Sequence, residues 1–179
     1  MAIPKEHYPV QFFVGVLTAD ERLWEIAKKS LCEKWGEIEM MSDRTDFDKF
    51  TDYYRSEMGE NIVRFWVALA DLHPPEDLIR LKWDCTEIEN SLAQNGNRRI
   101  NLDPGYISEA KIVLASFKDF SHRIYLGDCV YADMQLMWRG KKFVPMEWTF
   151  ADYKSLVAQD FLKKLRQSYR EKLKAYSKS

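Results

Sequence analysis

The first strong pattern in the chain is Val10 to Leu17 (VQFFVGVL), apolar on both faces and rich in β-branched and aromatic residues, which predicts a strand buried near the centre of a sheet. The period then changes. Leu23, Ala27, Leu31 and Trp35 recur every four residues beside Ile26 and Ser30, so a helix follows, with Thr18 and Glu21 at capping-box spacing and Gly36 at its end. Glu37 to Met41 alternates as a second strand, and Ser42 to Lys49 (SDRTDFDK) reads as a polar loop. The aromatic segment Phe50 to Gly59 suggests a partial helical turn lying over the sheet. Asn61 to Leu72 reads as the third strand, although Ala68 to Leu72 could bend helically, and Pro74-Pro75 ends it.

The clearest helical stripe comes next: Leu78, Leu81, Cys85, Ile88 and Leu92 repeat at intervals of three and four, and Asn95-Gly96 closes it. Arg98 to Leu102 is expected as a strand, stopped by Asp103-Pro104-Gly105 in the order a type II turn wants. Lys111 to Phe117, Arg123 to Leu126 and Val130 to Trp138 follow as strands. Turn signals at Gly127-Asp128 and Arg139-Gly140-Lys141 make them an antiparallel meander. Thr149 and Asp152 form a second cap-like pair, and Tyr153, Val157, Phe161, Leu165, Tyr169 and Leu173 mark one face of a C-terminal helix. The first six elements, strand-helix-strand-strand-helix-strand, predict an α+β fold with a ferredoxin-like split βαβ core, to which the meander and last helix are added. No repeat or linker divides residues 1–179, so a single domain is expected.

Composition agrees with a packed core, at 46% hydrophobic and 14% aromatic. Twenty-seven basic and 28 acidic residues leave a net charge of −1, which gives no field to attract nucleic acid or an anionic membrane. The exception is local: from Phe161 to Ser179 there are seven Lys or Arg (163, 164, 166, 170, 172, 174 and 178) and one acid, Glu171. Cys32, Cys85 and Cys129 are odd in number and lack CxxC spacing, as expected of free thiols. Met1 to Tyr8 is polar rather than signal-like, and no run approaches a membrane span, so the cytoplasm is the expected location.

The seven glycines are isolated, which excludes GxxxxGK[ST] and GxGxxG. A phosphate would therefore depend on side chains, and Arg98, Arg99, Lys111, Lys118, His122 and Arg123 form the densest cationic set before the tail. Solvated strand ends would explain most of them equally well. His122, one of three histidines, could serve as acid, base or anion ligand, while alternation puts it with Ile124 and Leu126 and leaves Arg123 and Tyr125 on the opposite face. Asp103 either accepts hydrogen bonds in its own turn or meets a second carboxylate, Glu57 or Asp133, to hold a divalent cation or form an acid/base pair. Tyr53, Tyr54, Trp66, Trp83, Trp138 and Trp148 are expected in the core. Lys118, His122, Arg123, Arg99 and Tyr125 are thus the candidate ligand-binding and proton-handling groups beside Asp103 and Glu57.

The segments TDYYRSEMG (51–59), NLDPGYI (101–107), LASFKDFSHRIYLGDCVYAD (114–133) and WTFADY (148–153) resemble a bacterial and archaeal family known as a domain of unknown function, in order and spacing over nearly the whole chain. Some of its members carry an automatic label of GTP-binding protein. The resemblance implies no activity, cofactor or catalytic residue, and this chain has no P-loop to match the label. Where Asp133 and Ala151 stand, family members tend to have Glu and Pro. Taken together, the sequence points to a site for a phosphorylated or nucleotide-like small molecule. The alternative is a non-catalytic module whose basic last helix binds RNA or a protein.

Overall fold

The computed structural model describes residues 3–176; Lys178 of the basic tail and the first two residues of the polar N-terminal stretch lie outside them. Strand β1 (Val10–Thr18) leads to helix α1 (Glu21–Trp35), then to β2 (Ile38–Met41) and the two-residue β3 (Thr45–Asp46). A short helix α2 (Arg55–Met58) precedes the long β4 (Val63–His73), which feeds α3 (Leu78–Ser91) and β5 (Ile100–Ile107). Strands β6 (Lys111–Ser116), β7 (Ile124–Gly127), β8 (Val130–Arg139) and β9 (Lys142–Pro145) come next, and α4 (Leu156–Tyr176) follows. Among the described residues these strands form one nine-stranded antiparallel sheet in the order β2-β4-β1-β5-β6-β8-β7, with β3 against β4 and β9 against β8. The first four positions are the split βαβ order, and the added strands extend the sheet, but not as the expected meander: β8 lies between β6 and β7, so these two consecutive strands do not pair.

Alternation along β1 explains its unbroken apolar run. Phe12, Val14 and Val16 pack with Trp24, Leu31, Leu81 and Cys85 of α1 and α3, whereas Phe13 joins Trp66, Phe161, Leu165 and Tyr169 under α4. The sheet is thus covered on both faces. Trp66 anchors the α4 side, its ring 5.5 Å from Tyr153 and 6.5 Å from Phe161.

Four further expectations are corrected. Asp20, not Thr18, caps α1, accepting the Arg22 amide at 3.0 Å, because Thr18 is spent on the Asp20 amide and the Arg99 carbonyl. Ala68 to Leu72 does not bend helically, since β1 pairs with it as far as His73. The helix α4 begins at Leu156 with Ser155 accepting from the Ala158 amide, and Thr149 instead binds the Met146 amide and the Gln135 carbonyl.

Most consequential is Asp103-Pro104-Gly105, which is not a turn but the middle of β5. Pro104 lies opposite Val14 of β1, while β5 meets β6 only from Gly105 onward. The Leu102 amide points away from β1, and by the strand's two-residue period so does the nitrogen of Pro104, into a side with no paired strand to miss its hydrogen. Gly105 is needed for another reason: a Cβ there would stand 2.5 Å from the Val113 carbonyl oxygen and 2.9 Å from Phe13.

Gly15, opposite Asp103 in β1, is also a matter of space. An added Cβ would lie 2.8 Å from Nη2 and 2.9 Å from Cζ of Arg64. In an open strand Gly→Ala stabilises by roughly 0.5–1 kcal/mol. Because this guanidinium is held from two sides, as described below, Gly15→Ala is expected to cost about 1–3 kcal/mol. Urea unfolding measures it, and a midpoint at or above that of the unsubstituted chain would show that Arg64 can move aside.

Candidate functional site

Strand β5 pairs with β1 along its whole length but with β6 only at Gly105, Tyr106 and Ile107, and beyond Leu114 the strand β6 continues paired to β8 alone. The sheet therefore splits between Asn101–Asp103 and Ala115–Ser116. A cavity of about 680 Å³ occupies the split on the α4 side, beyond the end of the α4 packing, within the range of small-molecule sites. Its floor comes from the strands, with Arg64, Asn101, Asp103 and Asp133; Phe47, Phe50, Tyr53, Tyr54, Phe117, Phe120 and Phe150 form apolar walls and rim.

Arg64 sits at the centre, 2% exposed, with Nη1 3.0 Å from Asp103 and Nε 2.9 Å from Asp152. Its guanidinium lies 5.1 Å from the Trp66 ring centre and 5.6 Å from that of Tyr153. Burial works against this charge, but Asp152, Tyr153 and Asp103 together hold its pKa above the ordinary arginine value. The two carboxylates are pushed apart. At Asp103 burial acts upward, yet Arg64, Lys82 and the Asn101 hydrogen bond outweigh it and keep the group below the usual carboxylate value. At Asp152 burial prevails over Arg64, aided by repulsion from Asp103, and the carboxyl is raised. One wall thus offers an ionised acceptor beside a carboxyl that holds its proton more firmly.

The next pair is Asp133 with Arg123. Arg123 Nε is 2.7 Å from Asp133, Nη1 is 2.7 Å from Ser116 Oγ, and Gln135 donates to the other Asp133 oxygen. Across the mouth Lys118 Nζ lies 5.6 Å from the Tyr53 ring centre. Glu89 enters from α3, only 6% exposed, and its carboxylate accepts the Leu102 amide that the sheet split leaves without a strand partner. Burial raises Glu89 to about 7 against the opposing pull of Lys82 and the Leu102 amide.

Of the residues singled out from sequence, Asp103, Lys118 and Arg123 converge on the cavity, as does Asp133. Asp103 and Glu57 do not form a pair: Glu57 accepts from the Arg98 side chain at 3.2 and 3.3 Å while Asp103 faces Arg64. His122 stacks on Trp148 with ring centres 4.7 Å apart and stands 3.6 Å from Asp133, behind the wall. Arg99 donates to Gln94, and Tyr125 packs on Tyr131 at the sheet edge. Among the described residues no group of three or more His, Cys, Asp or Glu is placed to hold a metal ion, and no helix is long and apolar enough to cross a membrane.

Arg64, Lys82, Glu89, Asn101 and Asp152 were not singled out for chemistry. A signal existed for three of them. Arg64 interrupts the apolar run of β4, and Lys82 and Glu89 fall among Leu78, Leu81, Cys85 and Ile88 at the helical period that faces the core. Charged residues at core positions are rare without a partner or a cavity.

Residues 8–169 match the model of a family described as a domain of unknown function, DUF4416, and the chain belongs to that family. No curated protein matches the chain, and no solved structure does.

Glu89 gives a pH test of the buried site. Its raised pKa means that the favourable protonated form is fully present below 4.5, and that stability is lost as pH rises through about 7. Glu89→Gln keeps an oxygen for the Leu102 amide and removes the ionisation. The variant is expected to match the unsubstituted chain at acid pH and exceed it by about 3 kcal/mol at most above neutrality. Urea midpoints across that range read it out, and parallel pH curves for the two proteins would refute it.

Proposed function

We propose that this member of the family binds a small phosphorylated or nucleotide-like molecule in the cavity at the sheet split. The observation that carries the reading is the convergence of Asp103, Lys118 and Arg123 on one concave site whose other walls are aromatic. The lining holds five cations, Arg64, Lys82, Arg98, Lys118 and Arg123, against three aspartates, so the site as a whole favours an anion. Tyr53, Phe120 and Phe150 are all at least 44% exposed, which is costly for bare aromatic surface and suits a planar group stacking on it. Lys118 and Arg123 would meet the anionic part, and Asp103, ionised and cavity-facing, is the group suited to accept a hydrogen bond from a hydroxyl. Glu57 and His122 are left out of this contact set by their placement.

The alternative of an RNA- or protein-binding module on the last helix draws less support. Arg166 lies 3.9 Å over Trp138, Arg170 pairs with Glu109, Lys164 with Asp160 and Lys172 with Glu39, so much of the basic face is used within the molecule.

A thermal-shift series of nucleoside phosphates, sugar phosphates and inorganic phosphate on the full chain tests the reading. A compound at 100 times its dissociation constant should stabilise by about 2.7 kcal/mol. Lys118→Ala should weaken that compound roughly tenfold or more, since it removes a charged contact without disturbing an ion pair of the fold. Failure of every phosphorylated compound to shift the transition, or equal shifts in Lys118→Ala, would sink the proposal.

A further inference from the structure

The large cavity does not stop at the sheet. On the α3 side of the split lies a second cavity of about 310 Å³, walled by Glu57, Thr86, Glu89 and Asn90, and it shares Lys82, Arg98 and Phe117 with the first. Those three residues are the partition between the two spaces. Lys82 is the unusual member. It is 8% exposed, its Nζ stands 5.2 Å from the Phe117 ring centre, and among the described residues it forms no ion pair or side-chain hydrogen bond. Its stem is buried while the ammonium opens onto the cavity space, where water or a ligand has to meet the charge. Its field nevertheless reaches both cavities, since it favours the ionised forms of Asp103 on one side and Glu89 on the other.

The two spaces differ in chemistry. The larger is aromatic and has two more cations than carboxylates; the smaller has Lys82 and Arg98 balanced by Glu57 and Glu89, and Phe117 is its one aromatic residue. Glu89 gives one oxygen to the Leu102 amide and keeps the other without a hydrogen bond among the described residues. A charge-balanced space lined by acceptors, an amide and an ammonium suits hydroxyl groups, which donate and accept in turn.

Building on the reading above, we propose that the two cavities are one bipartite site for a phosphate-bridged ligand: a planar ring and the phosphate met by Lys118 and Arg123 in the larger space, the second phosphate of the bridge on Lys82 and Arg98 at the partition, and a hydroxyl-rich group in the smaller. A nucleoside diphosphate esterified to a sugar is the class with its parts in that order. Arg98 is already oriented for the role by Glu57 and by the Asn101 oxygen at 2.6 Å.

Titration calorimetry on the full chain, comparing uridine, adenosine and guanosine diphosphates with their glucose esters and with glucose 1-phosphate, tests the order of parts. At least one glucose ester should bind ten or more times tighter than its parent diphosphate. Asn90→Leu, at an exposed position of α3, should erase that advantage while leaving the parent diphosphate unchanged, and Lys82→Met should weaken both at least tenfold. If a diphosphate binds but its ester gains nothing, or Lys82→Met binds as the unsubstituted chain does, this proposal is overturned while the nucleotide-site reading stands. If no phosphorylated compound binds at all, both fall.

Discussion

The separation of β5 from β6 is the constraint on which the rest depends. Two antiparallel strands that part after three residue pairs leave backbone groups facing each other across a space too wide for hydrogen bonds, and in a buried sheet each such group needs another partner. The chain meets that need in two ways. Pro104 removes a donor where no acceptor is available, and Glu89 reaches from α3 to take the Leu102 amide. A buried carboxylate is the consequence, and Lys82, one α-helical heptad earlier, places a compensating charge in the same split. A cavity, a perturbed acid and a lysine without an ion pair among the described residues all follow from one missing stretch of ladder.

Arg64 performs the corresponding task on the opposite face. Burying its guanidinium in this position would be costly without Asp103 and Asp152, and so would holding the two aspartates so close to each other without it. The space it occupies exists because Gly15 has no side chain. These four residues come from β1, β4, β5 and the turn before α4, so the cluster ties the split βαβ core to the segment that follows the added strands. Replacing such a cluster with apolar residues is often neutral for stability. Its place at the floor of a cavity is what the proposed ligand site would need, beyond what the fold requires.

Much of this was readable from the residues. The strand and helix periods gave the element order, and the order gave the split βαβ core, because buried strands and amphipathic helices leave their period in the sequence whatever their partners are. Asp103, Lys118 and Arg123 were found for the same kind of local reason, as charges beside apolar strands. What could not be read was pairing. Pro-Gly after Asp is the signature of a turn when judged alone; only knowledge that β6 departs at Gly105 shows that the proline answers a missing acceptor and the glycine a close approach to Val113. Glu57 was paired in expectation with Asp103, whereas Arg98, forty-one residues along, captures it. Lys82 and Glu89 are legible as charges on a core-facing helical stripe, but the apolar repeat around them by itself implies only packing.

For the proposed ligand site, the division of labour within the cavity bears on which molecules it would discriminate. The floor groups Arg64, Asp103 and Asp133 stand on β4, β5 and β8 and are fixed by ion pairs to one another or to Arg123. The rim groups Tyr53, Lys118, Phe120 and Phe150 stand on connecting segments and present exposed faces. Preorganised charge on strands sets a fixed position for an anion or hydroxyl, while aromatic surface on loops tolerates rings of different outline. Selectivity in such an arrangement comes from the polar floor, where an unmatched group strands a buried charge. Affinity comes from the rim, where any planar surface removes water from aromatic faces.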